Sequence, residues 1–209
     1  KNNYILETAN LWAKYGLKSK FIDKKRSMSL LKYSQKSNVK TLDISSSYPS
    51  FKNIIKEINL KKFKISFKVS NTDFKKSNFY NNFESFFYNL LNKLNVSKIE
   101  YFLFHNAKDI LSDKNKKILK HLKILKKNKK IGYLGVSVYS NNDLLKILKK
   151  NIKIEILKVP FSVLDQRINQ KKLLNFIKLK NIKIHIRSIF LQGILIDEKI
   201  IPKKFKEFK

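Results

Sequence analysis

Short apolar runs alternate with longer amphipathic segments along the whole chain, and this alternation limits the possible fold more than any other feature. The short runs are typical of buried strands and the longer segments of helices. Strands are predicted at residues 4–6, 39–44, 63–69, 99–104, 131–138, 152–159 and 182–189, and helices at 27–37, 51–60, 77–94, 115–127, 142–150 and 171–180. Seven strands that alternate with helices through short connections require a parallel sheet crossed by helices. We expect one domain over residues 1–209.

The scarcity of glycine helps to choose between the two common folds of this kind. The alternation suits a doubly wound sheet or a (β/α)8 TIM barrel equally well. The only four glycines are Gly16, Gly132, Gly135 and Gly193. They cannot form the G-x-G-x-x-G motif that binds dinucleotides or a P-loop that binds phosphate. The α/β barrel is therefore favoured.

The chain carries a formal net charge of +32, which raises the question of nucleic-acid binding. All but three of its 47 basic residues are lysines, and they are spread over the polar faces of the predicted helices. Base-specific readout and close phosphate contacts usually need arginine. We expect a solvated lysine-rich surface with weak, salt-sensitive binding to polyanions and no specific nucleic-acid partner.

Cysteine is absent, which excludes disulfides, cysteine-ligated zinc, iron–sulfur clusters and thiol nucleophiles. The longest apolar runs, such as residues 188–196, are much shorter than the ~20 residues of a membrane-spanning helix. Neither His121 nor His185 has an acidic neighbour in sequence that would suggest a metal site. We expect a cytoplasmic protein without a bound metal.

Four chemically active side chains stand at or just after the ends of three consecutive predicted strands, where barrel enzymes place their working residues. They are Asp43, Tyr48, Lys68 and His105. An adjacent ammonium is expected to lower the pKa of the Tyr48 phenol, and Asp43 would keep Lys68 charged. Taken singly, each residue also has a structural interpretation, as a cap, a rim aromatic, a surface lysine or a core histidine. Together they point to proton transfer.

In order and spacing these four residues resemble the catalytic tetrad of the aldo-keto reductase family. Further segments are similar to family motifs and cover nearly the whole chain, the last of them in a bacterial branch of the family. These segments are residues 6–9 with Tyr15-Gly16, residues 131–139, residues 160–167 and residues 187–195.

The resemblance implies a (β/α)8 barrel that binds NADPH and reduces an aldehyde or ketone. Hydride would pass from the nicotinamide to the carbonyl carbon, with Tyr48 as the general acid, assisted by Lys68, Asp43 and His105. It also implies a cofactor-binding set. The members of that set are Ser137, Lys158, Ser188, Phe190, Leu191 and Gln192.

Several residues depart from the family pattern, chiefly where the nicotinamide should bind. The family usually has glycine at the positions of Glu7 and Pro49, a frequent asparagine at Val138, and a glutamine that binds the carboxamide at Lys158. A lysine ammonium cannot accept a hydrogen bond. We therefore expect intact catalytic residues and altered nicotinamide docking.

The chain also looks about one strand and several helices shorter than a closed barrel of ~250 residues. Three explanations stay open: a fragment of a longer chain, which the first residue Lys1 in place of Met favours, a naturally shortened pseudoenzyme, or a barrel completed by a partner. The alternative function is accordingly a non-catalytic barrel that serves as a binding module, with non-specific polyanion binding through its lysines.

Overall fold

Seven parallel strands form one sheet in a computed structural model, which describes residues 4–14, 21–70, 73, 82–150 and 152–197. The strands are β1 (Ile5–Glu7), β2 (Thr41–Ser45), β3 (Lys64–Val69), β4 (Ile99–Phe104), β5 (Ile131–Ser137), β6 (Ile156–Pro160) and β7 (Lys183–Arg187). Each strand pairs with the next one along the chain. A doubly wound sheet would reverse its order at a switch point. The consecutive order confirms the predicted barrel type with seven strands.

Seven helices lie in the described part of the chain, where they alternate with the strands. They are α1 (Lys24–Lys36), α2 (Phe51–Glu57), α3 (Phe83–Leu94), α4 (Ala107–Leu111), α5 (Lys116–Lys127), α6 (Asn141–Lys149) and α7 (Lys171–Leu179). Short 3-10 turns follow α2, α4 and β7, at Leu60–Lys62, Asp113–Asn115 and Leu191–Gly193. The helix predicted at 77–94 is seen from Phe83 onward, and residues 77–81 lie outside the described part, as do Tyr15 and Gly16. None of the described helices has the length and apolar character needed to cross a membrane.

Local sequence signals account for several helix boundaries. The side chain of Asp23 caps α1 by accepting a hydrogen bond from the backbone N–H of Arg26 at 2.8 Å. Ser140 caps α6 in the same way through the N–H of Asp143. Asn95 ends α3 in the left-handed conformation, with φ of 51°, a conformation that asparagine tolerates better than most residues.

A cluster of phenylalanines packs helix α3 against strands β3 and β4. The ring of Phe102 lies 6.3 Å from that of Phe67, 6.1 Å from Phe83 and 5.9 Å from Phe87, measured between centroids. All four side chains are fully buried, and each contributes about 1.5–3 kcal/mol through burial. This packing fixes β3 and β4, the strands that carry Lys68 and lead into His105.

Gly135 in β5 allows the close approach of the neighbouring strands. A Cβ atom at this position would lie 2.5 Å from the carbonyl oxygen of Ile156 and 2.7 Å from a methyl carbon of Leu103. Only glycine fits such a contact. Gly135 thereby sets the spacing between β5 and β6, on which Ser137 and Lys158 lie side by side.

The last described strand, β7, is shorter than predicted and is exposed along its outer face. Ser188 has φ of 60°, so the extended backbone ends at Arg187 instead of continuing to residue 189. Ile184 and Ile186 are exposed, as are Ile189 and Phe190 after the strand. Among the described strands, β1 and β7 each have a neighbour on one side only. The sheet is thus an open barrel with an apolar surface at β7.

Candidate active site

Three of the four strand-end residues meet in one buried cluster inside the barrel. Lys68 Nζ lies 2.7 Å from Asp43 Oδ1 and also contacts the hydroxyl of Tyr48. Lys68 and Asp43 come from the neighbouring strands β3 and β2, and Tyr48 follows in the turn after β2. The side chain of Ser45 ties that turn to β3 by donating to the carbonyl oxygen of Lys68 at 3.0 Å. The turn therefore holds the phenol against the ammonium.

Glu7, at the end of β1, is a further member of this cluster. Its Oε1 atom accepts a hydrogen bond from the Tyr48 hydroxyl at 2.7 Å and another from Lys68 Nζ at 3.0 Å. Glu7 pairs in register with Asp43 of β2, which places both carboxylates beside the same ammonium. The sequence comparison marked Glu7 as a departure from the family but did not predict it as a site residue. Its position at a strand end was the signal that could have found it.

Lys158 reaches the same cluster from β6. Its Nζ atom lies 2.9 Å from Asp43 Oδ2 and 3.6 Å from Glu7 Oε1. Ser66 also donates to Asp43 Oδ2, at 2.9 Å. Since β6 and β2 are not neighbours in the sheet, this contact crosses the interior and shows that the sheet is curled. The ammonium of Lys158 is therefore engaged by carboxylates, and its predicted contact with a nicotinamide carboxamide stays a prediction.

The cluster contains two ammonium groups and two carboxylates, most of them removed from water. The exposed fraction of the side chain is 1% for Asp43, 3% for Lys68, 5% for Lys158 and 37% for Glu7. Breaking a buried ion pair by removing one partner costs about 3–5 kcal/mol, because the other charge stays buried without compensation. Because two positive charges face two negative charges, each buried charge is compensated and the free-energy cost of burying the cluster is lower.

The charge states follow from burial and from these contacts. Burial alone would raise the pKa of Glu7, but Lys158 and Lys68 lower it to about 2, so Glu7 is a carboxylate at neutral pH. Burial alone would lower the pKa of Lys68, but Asp43 and Glu7 raise it above its ordinary value, so Lys68 is an ammonium. Burial lowers the pKa of Lys158, although Asp43 opposes this effect.

The phenol of Tyr48 does not behave as the sequence predicted. Burial raises its pKa above the ordinary value, and the charges of Asp43 and Glu7 raise it further, while Lys68 acts in the opposite direction. The prediction of a lowered Tyr48 pKa is therefore wrong, because it considered the ammonium without the loss of water and the two carboxylates. Tyr48 holds its proton firmly in this site.

His105 stands directly after β4 beside the phenol. Its ring lies edge-on to that of Tyr48, and its backbone N–H donates to the carbonyl oxygen of Val69 at 2.9 Å. Burial and the charge of Lys68 lower the pKa of His105 to about 4. A neutral imidazole of this kind has one donor and one acceptor nitrogen for a ligand.

The remaining predicted cofactor residues lie at the ends of β5 and β7. Ser137 is buried at the end of β5, in register with Lys158. Ser188, Phe190, Leu191 and Gln192 form the loop after β7, in which Ser188, Leu191 and Gln192 have φ between 45° and 60°. Their contacts with a cofactor stay predictions.

Arg187, at the end of β7, has hydrogen-bond donors that no described residue uses. Its Nε and Nη2 atoms are buried without a hydrogen-bond partner in the described part of the chain, while Nη1 donates to Ser188 Oγ at 3.4 Å. The guanidinium carbon lies 4.2 Å from the centroid of the Tyr139 ring. Nε–H and Nη2–H form one edge of the guanidinium, which suits a phosphate oxygen pair. This edge of Arg187 therefore fits the phosphate of a phosphate-bearing cofactor.

A metal centre has no counterpart in this arrangement. Among the described residues, no three His, Asp or Glu side chains come close enough together to hold a metal ion.

Comparison with known proteins gives the same fold and a family. The barrel is similar to the holo form of an aldo-keto reductase from Bacillus halodurans, with 17% identity, a TM-score of 0.71, and coverage of 95% of this chain and 65% of that one. It is similar to a glycerol dehydrogenase from Gluconobacter oxydans (16%, TM-score 0.67, coverage 97% and 68%). It also resembles a thermostable aldo-keto reductase in complex with the inhibitor epalrestat (18%, TM-score 0.64, coverage 97% and 72%).

The sequence itself identifies the family. A comparison with curated proteins finds no significant match. The profile of the Aldo/keto reductase family, in contrast, matches residues 12–209, almost the whole chain. The chain therefore belongs to the aldo/keto reductase family.

Proposed function

We propose that this chain is the barrel of an NADPH-dependent oxidoreductase that reduces an aldehyde or ketone to an alcohol. The observation that carries the proposal is the contact of Lys68 with both the Tyr48 hydroxyl and Asp43. Membership of the family supports the oxidoreductase class. NADPH as the cofactor, a small carbonyl compound as the partner and the cytoplasm as the location belong to the same proposal.

The residues of the cluster divide the proton chemistry among them. When bound, the reduced nicotinamide supplies the hydride. Tyr48 transfers its phenolic proton to the carbonyl oxygen, and the phenolate that is left is stabilised by the ammonium of Lys68. Asp43 keeps Lys68 charged and in position through the 2.7 Å contact. His105, as a neutral imidazole, is available to orient the carbonyl oxygen by donating a hydrogen bond.

Tyr48→Phe tests the proposal, because it removes the hydroxyl and leaves the ring. We expect turnover of simple aldehydes to fall by roughly 100-fold to 10,000-fold, while titration of NADPH by fluorescence still shows binding. Tyr33→Phe is the matched control, since Tyr33 lies exposed on α1. Equal turnover by the Tyr48 and Tyr33 variants would contradict the proposal. Parallel titrations with NADPH and NADH determine which cofactor binds more tightly.

A second candidate function is a non-catalytic barrel that serves as a binding module. The raised pKa of Tyr48 favours it, as does the engagement of Lys158 by Asp43 and Glu7 where the family binds the carboxamide. Under this alternative the chain shows no turnover, and Tyr48→Phe changes neither cofactor binding nor activity.

A further inference from the structure

Glu7 and Lys158 are two departures from the family that meet in the structure. The Lys158 Nζ atom lies 3.6 Å from Glu7 Oε1, although 150 residues separate the two positions in the chain. Where the family usually has a glycine and commonly a glutamine, this chain has a carboxylate and an ammonium. The pair adds one negative and one positive charge to the site, so each residue compensates the burial of the other.

The carboxylate of Glu7 accepts the hydrogen bond from the Tyr48 hydroxyl that a substrate carbonyl oxygen has to accept in the proposed reaction. The Tyr48 hydroxyl donates to Glu7 Oε1 at 2.7 Å, and Glu7 is ionised at neutral pH. A hydrogen bond to a carboxylate is roughly twice as strong as one to a neutral carbonyl oxygen. A simple ketone therefore competes poorly with Glu7 for the proton of Tyr48.

A ligand can restore Tyr48 as the general acid by donating its own hydrogen bond to Glu7. The Glu7 side chain is 37% exposed, whereas those of Asp43 and Lys68 are almost fully buried, so a ligand can reach Glu7. In a carbonyl compound with a hydroxyl on the adjacent carbon, the hydroxyl lies beside the carbonyl oxygen. In the site, Glu7 Oε1 lies beside the Tyr48 hydroxyl in the same way. When that hydroxyl donates to Glu7, the hydroxyl of Tyr48 is free to turn to the carbonyl oxygen.

We propose that Glu7, held by Lys158, selects carbonyl compounds that carry a hydroxyl on the adjacent carbon. This inference rests on the proposed reductase function. In the reaction the hydride goes to the carbonyl carbon and the Tyr48 proton goes to the carbonyl oxygen. The hydroxyl of the substrate keeps its own proton and only donates a hydrogen bond to Glu7. The Tyr48 phenolate then regains a proton from water.

Hydroxyacetone and butanone test the selectivity, because they have the same number of non-hydrogen atoms and differ in the hydroxyl. We expect the native chain to prefer hydroxyacetone on the order of 10-fold to 100-fold in kcat/KM, the range of a hydrogen bond to a charged group. Glu7→Gln should reduce this preference to near unity by improving the use of butanone. Glu57→Gln is the matched control, since Glu57 pairs with Lys24 at 2.9 Å outside the site, and it should keep the native preference.

A second measurement follows the Tyr48 hydroxyl without cofactor or turnover. The NMR resonance of the Tyr48 ring carbon that bears the hydroxyl is assigned by its loss in Tyr48→Phe. We expect Glu7→Gln to shift this resonance and Glu57→Gln to leave it unchanged. Hydroxyacetone added without cofactor should shift it in the native chain, and butanone should not. If Glu7→Gln alone unfolds, the double variant Glu7→Gln with Lys158→Gln, which removes both charges, replaces it in this measurement.

The outcomes separate the inference from the proposed function. Absence of turnover with both ketones and with the simple aldehydes contradicts the reductase, and the NMR measurement then decides the role of Glu7. A native preference that Glu7→Gln leaves intact overturns the inference. So does a Tyr48 resonance that responds neither to Glu7→Gln nor to hydroxyacetone.

Discussion

The imidazole of His105 stands edge-on to the phenol of Tyr48, with the ring centroids 6.3 Å apart and the ring planes at 88°. In the same site the hydroxyl of Tyr48 makes its hydrogen bonds with Glu7 and Lys68. His105 therefore lies against the ring of Tyr48, while the carboxylate of Glu7 and the ammonium of Lys68 hold its hydroxyl.

The first prediction concerns the dependence of stability on pH. Burial lowers the pKa of His105 and of His185 from 6.5 to about 4. Between these values the unfolded chain binds more protons than the folded one, so the free energy of unfolding should fall as the pH falls from 6.5 to 4. Chemical denaturation at a series of pH values measures this slope. His105→Gln and His185→Gln should each flatten it.

His121→Gln serves as the control for that measurement, since His121 lies on helix α5 away from the barrel interior. The prediction fails if the two interior variants keep the slope of the native chain. It also fails if stability rises as the pH falls through this range.

The second prediction concerns Lys68→Met, which removes the ammonium that Asp43 and Glu7 share. We expect a loss of about 3–5 kcal/mol in the free energy of unfolding, because Asp43 stays buried with fewer partners. Reductase turnover should fall by roughly 100-fold or more. Lys123→Met, on the exposed face of α5, is the control and should stay within about 0.5 kcal/mol of the native chain. A Lys68→Met protein as stable as this control would contradict the expected cost of leaving Asp43 buried without Lys68.

The third prediction concerns Gly135→Ala. The added methyl group would overlap the carbonyl oxygen of Ile156 and a methyl carbon of Leu103, so β5 and its neighbours have to separate. Overpacking of this kind costs about 1–3 kcal/mol, which urea denaturation detects. Since Ser137 and Lys158 lie on the two displaced strands, cofactor affinity should fall as well. Unchanged stability together with unchanged affinity would show that the strands tolerate the displacement.

The fourth prediction concerns the lysine-rich surface. A groove of about 510 Å³ is lined by Lys40, Lys61, Lys62 and Lys64, where β2 and β3 begin. We expect weak binding of heparin or single-stranded DNA that weakens steeply with salt and shows no base preference. The double variant Lys61→Glu with Lys62→Glu should weaken this binding, and Lys123→Glu should do so less. An affinity that is independent of salt would contradict this interpretation.

The sequence carried enough information for the fold because its signals were regular. Alternating apolar and amphipathic segments placed each of the seven strands within a few residues, and β4 was predicted with its exact bounds, Ile99–Phe104. The errors lie at strand ends. The strand predicted at 152–159 begins only at Ile156, and the last strand stops at Arg187 because Ser188 adopts a positive φ. Apolar periodicity does not report such a backbone turn.

The positions of the candidate site residues could be predicted from the sequence, but the contacts among their side chains could not. Strand-end placement brought Asp43, Tyr48 and Lys68 together, since parallel strands end at one edge of the sheet. The role of Lys158 could not be derived in this way, because its contact with Asp43 depends on the curl of the sheet. The raised pKa of Tyr48 could not be derived from the sequence either, because it depends on how much water the folded chain excludes.

The contact between Lys158 and Asp43 affects the shape of the sheet as well as the chemistry of the site. It joins β2 and β6 across the interior, and so it stabilises the curled form of the open sheet. The charges that act on the phenol of Tyr48 thus also hold the strands around it. A ligand that breaks this ion pair should therefore change the curvature of the sheet as well as the charge beside Tyr48.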